Sequence, residues 1–248
     1  PLRYAVAYWN MFGRHVTPFP DVTHFPFRYA MASVLQEQAR GRVNLLMQAF
    51  NGHTGIGAGF HFMIIGFPII PEQYKPGILW IWNKMKGVDP EKPETTANIV
   101  NDCQPVDLVC SFLNYPLDMK PQHPSTCFPR TYQARTKGLY VFRSQWEGAD
   151  DIVFQFYANQ LVSGGHGQSN AAALRLYGLG YSWARVTGER DARRFLDNVV
   201  LLPDDKTRPN LAGYVTCFGT QDDGSGYVSV DLNDVYSCLL YTSDAADE

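Results

Sequence analysis

The chain has 248 residues, 45% hydrophobic and 18% charged, the balance of an ordinary globular protein with a core to bury. Its formal net charge of −3 leaves no basic excess to recruit nucleic acid. No uninterrupted apolar run approaches the roughly 20 residues of a spanning helix, so no membrane span is expected.

Residues 1–122 read as helical with long loops. Pro1 opens directly into an apolar, helix-compatible segment, and a loop carrying His15, Asp21 and His24 follows it. The spacing of those three fits no metal site, and a surface loop is the plain reading. Pro26 suits the first turn of a helix, and Phe27 to Arg40 then runs without Gly or Pro as far as Gly41, which predicts a helix. Val43, Leu46, Met47 and Phe50 fall at i, i+3, i+4 and i+7. That spacing predicts a second, amphipathic helix over 42–50, stopped by Asn51-Gly52. The glycine-rich run at 51–61 contains His53 and His61. A phosphate-binding loop needs a strand before it, and a helix is expected there, so a structural turn is the better reading. A third helix is predicted over 72–86, with Ile78, Ile81, Trp82 and Met85 on one face and an interruption at Pro76-Gly77.

Prolines recur from Lys86 to Arg135, and the proline-rich stretch Lys120 to Arg130 marks a junction, with the linker placed at 123–137. The pattern then changes to strands. Leu139 to Arg143, Ile152 to Tyr157, Leu174 to Leu179 and Tyr181 to Val186 are short runs rich in aromatic and branched residues. Tyr214–Thr220 and Tyr227–Leu232 flank Asp222-Asp223-Gly224-Ser225-Gly226, which predicts a hairpin. The order is therefore helical segment, linker, then a β domain over 138–237.

The last residues, 238–248, look like the translation of a sequencing-library adapter, so native sequence is expected to stop near Ser237. Without Asp244, Asp247 and Glu248 the 24 acidic residues become 21, equal to the 21 basic ones. Four cysteines then remain, Cys103, Cys110, Cys127 and Cys217. Their spacing fits no zinc pattern and is compatible either with buried thiols or with one or two disulfides.

Between the second and third strand runs lies Ser163-Gly164-Gly165-His166-Gly167-Gln168-Ser169-Asn170. Glycines there let the backbone approach a ligand closely, and a neutral imidazole near pH 7 suits proton transfer. The plain alternative is a turn histidine bonded locally. Taken together, Arg143-Ser144-Gln145-Trp146, Asp150-Asp151, the His166 loop and Leu176 to Gly180 resemble the heparinase II/III-like polysaccharide lyases. The likeness continues at Gly213 to Thr216 and from Asp222 to Tyr236.

That resemblance implies an α+β multidomain fold: the C-terminal part of an (α/α) toroid followed by an antiparallel β-sandwich, truncated at both ends. It also implies β-elimination on an acidic, uronate-containing glycan, with His166 catalytic and a periplasmic or secreted location. Relatives often carry H-x-H-x-D at this loop, where the second histidine and the aspartate help to hold a metal. Here those places are Gln168 and Asn170. Amides are poor transition-metal ligands, so no zinc or other cofactor is expected. Gln168 and Asn170 are instead expected to bind sugar hydroxyls or a uronate carboxylate. Arg143 is a candidate for the carboxylate and Trp146 for stacking on a sugar ring. An interstrand ion pair and a core indole are the alternatives for those two, and a solvated turn is the reading for Asp150-Asp151. The tyrosine and the Asn or His that relatives contribute from the toroid match nothing in this sequence. A non-catalytic glycan-binding relative and a toroid-fold glycoside hydrolase are the competing functions. The second needs two carboxylates across a cleft, and no convincing pair stands out.

Overall fold

The β-branched and aromatic runs form strands, and the proline- and leucine-bearing segments before them form mostly helix. This is seen in a computed structural model describing residues 2–15, 20–38, 42–47, 61–86, 105–136, 138–146, 150–158, 171–184, 198 and 213–240. The described residues fall into two units, one up to Phe128 and one from Pro129 onward. Within 123–137, the stretch expected to be a linker, the chain forms a 3-10 turn at Pro124–Thr126 and a strand at Thr131–Ala134.

The first unit contains helices α1 (Leu2–Phe12), α2 (Pro20–Thr23), α3 (Phe25–Met31), α4 (His61–Ile65), α5 (Lys75–Lys86) and α6 (Pro105–Asn114). It also contains an antiparallel hairpin, β1 (Ser33–Gln38) and β2 (Arg42–Met47). Leu2, Ala5 and Val6 of α1 bury against Ile65 and Ile69, with Trp9 and Cys110 packed on the same cluster. Ile78, Leu79, Ile81 and Trp82 of α5 are buried as well.

Pro76 and Gly77 begin α5 instead of interrupting it. Proline fits a first turn, where its missing N–H has no helical partner in any case. Gly77 admits the chain at 124–128: a Cβ there would stand 2.6 Å from Cys127 Sγ and 2.7 Å from the Phe128 ring. Phe128 meets Phe27 edge-on, and Phe27 stacks on Tyr74 with ring centres 3.8 Å apart.

The helices predicted over 27–40 and 42–50 are corrected by β1 and β2. The first helix stops at Met31, where the Ala32 N–H bonds Arg28 O and Ser33 Oγ donates to Tyr29 O at 2.6 Å. The chain then pairs from Ser33↔Met47 to Gln38↔Arg42. This register leaves Ala39-Arg40-Gly41 as the connection, a length and a glycine that suit a hairpin. Val43, Leu45 and Met47 alternate as well as fitting a helical stripe in part, so the spacing carried both periods.

Among the described residues, every strand pairing of the second unit is antiparallel. Strands β3 (Thr131–Ala134), β4 (Leu139–Arg143), β5 (Val153–Tyr157), β6 (Ala173–Gly178) and β7 (Tyr181–Ala184) form one sheet in that order. A hairpin of β8 (Tyr214–Thr220) and β9 (Gly226–Asp231) forms a second layer, and α7 (Asn233–Leu240) follows it. Phe218 of β8 lies 5.0 Å from Tyr140 and 5.8 Å from Phe142, ring centre to ring centre, so the hairpin packs on one face of β4. On the other face Val141, Arg143, Val153, Gln155, Arg175 and Tyr177 are all buried. Burial on both faces of β4 explains why Leu139 to Arg143 reads as a nearly continuous apolar run and not as strict alternation.

The predicted 222–226 turn closes on Gln221, which receives the Gly224 N–H and donates its own N–H to Ser225 O. Gly224 has φ +89°, and a Cβ there would lie 2.0 Å from the carbonyl oxygen of Arg143. Only glycine fits both conditions. The architecture is thus α+β with two packed antiparallel layers in its second part.

Candidate functional site

The His166 loop springs from adjacent strands. Tyr157 pairs with Ala173 at one end of the β5–β6 ladder, so residues 158–172 connect neighbouring antiparallel strands. His166, Gln168 and Asn170 lie outside the described residues; the two roots of their segment, Ala158 and Ala171 to Ala173, lie within them. At one root the Ala158 N–H donates to Gly138 O at 2.7 Å, and Ala158 O accepts from Gly213 N at 2.8 Å. At the other, Ala171, Ala172 and Ala173 are buried, with Ala172 in the left-handed region at φ +66°. A non-glycine residue there holds a conformation that costs of order 1 kcal/mol, which marks this root as tightly constrained. Burial raises the phenol of Tyr157, the last residue of β5, above its ordinary value.

Arg143 and Trp146 sit elsewhere. Arg143 pairs with Val153, the first residue of β5, so it lies at the opposite end of that strand from the loop roots. The separation along β5 is roughly 13 Å, at about 3.3 Å per residue. The Arg143 side chain has no solvent exposure, and its Nη1 donates to Asp151 Oδ2 at 2.8 Å. Its guanidinium lies 3.6 Å from the centre of the Trp146 ring, which is itself buried. Asp151 Oδ1 accepts from the Gln145 N–H at 3.1 Å and from Ser144 Oγ at 3.5 Å, while Ser144 Oγ accepts from the Ile152 N–H. In this arrangement Arg143, at the end of β4, is ion-paired with Asp151 in the β4–β5 connection, and Trp146 is a buried indole. The solvated-turn reading of the acidic pair is corrected for Asp151, which is 1% exposed, and holds for Asp150.

The two charges bear the cost of burial. Desolvation lowers the Arg143 guanidinium to about 10 against the opposing pull of Asp151. It also raises the Asp151 carboxyl, with Arg143, the Gln145 N–H and Ser144 acting the other way. Desolvation prevails at both partners, as expected when ions leave water for a packed interior.

Two histidines of the first unit, His15 and His24, make local contacts. His15 stacks on Trp9 at 4.4 Å, and His24 Nδ1 bonds Thr23 Oγ1 at 3.0 Å. His53 lies outside the described residues, and His61 begins α4. A polar pair the sequence did not announce joins Tyr115, whose hydroxyl donates at 3.0 Å, to Asn83 Oδ1, with Asn83 buried. The two are 32 residues apart, and no motif spans them. Cys110, Cys127 and Cys217 carry free thiols, and burial raises that of Cys127. Cys103 lies outside the described residues.

Among the described residues, which exclude His166, Gln168 and Asn170, no three His, Cys, Asp or Glu side chains are grouped to hold a metal. No described helix is long and apolar enough to cross a membrane. Compared with known proteins, the chain matches no protein-family model and no curated protein.

Proposed function

We propose that the chain is part of a polysaccharide lyase acting on an acidic, uronate-containing glycan, with His166 as its acid–base residue. The observation that carries the reading is the motif-bearing segment Gly165-His166-Gly167-Gln168-Ser169-Asn170, whose ends are anchored on paired strands of an antiparallel β unit that follows a largely helical one. This is the domain order of the lyases that the motifs resemble. The expected toroid and sandwich, and the extracytoplasmic location, belong to the same proposal.

In the proposed reaction a base takes the proton from C5, and its electron pair forms the C4–C5 double bond as the C4–oxygen bond breaks. The leaving oxygen then takes a proton, and a donor beside the uronate carboxylate stabilises the charge that develops. His166 supplies proton transfer, while Gln168 and Asn170 supply hydrogen bonds to hydroxyls or to the carboxylate. Arg143 is left out of this scheme because Asp151 already holds it in the interior. A specific observation favours a second reading, a non-catalytic glycan binder: amides stand at 168 and 170 where relatives carry metal ligands.

The test is to incubate the complete protein of which the chain is proposed to be part with a panel of uronate glycans and follow the ultraviolet absorbance of the new C4–C5 double bond. Absorbance should grow with at least one glycan. His166→Ala should lower the rate by about 10²- to 10⁴-fold with an unchanged melting temperature. Undiminished turnover in that variant would move the chemistry away from His166. Glycan binding without any absorbance would select the binder.

A further inference from the structure

We draw no further inference here: the strongest candidate, the exposed apolar patch of Leu179 in the β6–β7 turn with Tyr181 and Trp183 on the edge strand β7, where the Trp183 indole N–H is tied to Gly178 O at 2.9 Å, carries nothing because nothing in the structure shows what covers it.

Discussion

Among the described residues, the dipeptide Asp-Asp occurs at 150–151 and at 222–223, and the two turns meet water on opposite terms. At the first, Asp151 is buried against Arg143 and receives bonds from Gln145 N and Ser144 Oγ. At the second, both aspartates are exposed, and Asp223 Oδ1 accepts the Ser225 N–H at 2.9 Å. Their carboxyls respond accordingly. Burial pushes Asp151 up, whereas hydrogen bonds from the Ser225 side chain and backbone hold Asp223 below the usual carboxylate range. A guanidinium stands near each, Arg143 at Asp151 and Arg130 at Asp223, so burial and not the neighbouring cation separates the two turns.

Breaking the buried pair should have the largest effect. Arg143→Met leaves the Asp151 carboxylate in the interior without its guanidinium, and the expected loss is about 3–5 kcal/mol, read by denaturant unfolding. Replacing both partners together, Arg143→Met with Asp151→Leu, should recover most of that loss, since removing two buried charges is often neutral. A double variant as unstable as the single one would show that the pair contributes net stability.

Gly224→Ala comes next. It forces a side chain into φ +89° and toward the Arg143 carbonyl, at an expected cost of about 1–3 kcal/mol. An unchanged unfolding midpoint would mean that the turn does not lie against β4 as described.

The smallest effect separates the two turns by the sign of their pH dependence. Asp151 has its folded value raised, so its contribution is complete below the ordinary carboxylate value of about 3.9 and is lost as pH rises through the folded value. Asp223 has its folded value lowered, so its contribution is present above that ordinary value and is lost as pH falls through the folded one. Melting curves of the parent compared with Asp151→Asn and Asp223→Asn across this acid range should therefore drift in opposite directions. Parallel drifts would refute the contrast.

Much of the second unit was legible because its signals were local. Leu139 to Arg143 and Val153 to Tyr157 are too short for helices and too apolar for loops, and the Asp222 to Gly226 turn declared itself by composition. The first unit was harder. Residues 42–47 satisfy a helical and a strand period together, and only the pairing with Ser33 to Gln38 decides between them. Helix α6 was obscured by the prolines around it. At the candidate site the His166 loop was visible as a motif. The engagement of Arg143 by Asp151 was not, because it depends on a strand end and a turn closing on each other. The Tyr115–Asn83 bond is likewise a product of packing with no local trace.

The contact of Gly224 with the Arg143 carbonyl also bears on the order in which the second unit forms. Arg130 donates to the carbonyl of Asp223, 93 residues further along, so this docking closes a long loop of chain. The β4–β5 ladder needs only neighbouring sequence, and contacts of short range form sooner than those of long range. The β8–β9 turn is therefore expected to settle onto β4 after the rate-limiting step. Gly224→Ala should accordingly quicken unfolding while leaving the refolding rate nearly unchanged, which places the last act of folding at a single glycine.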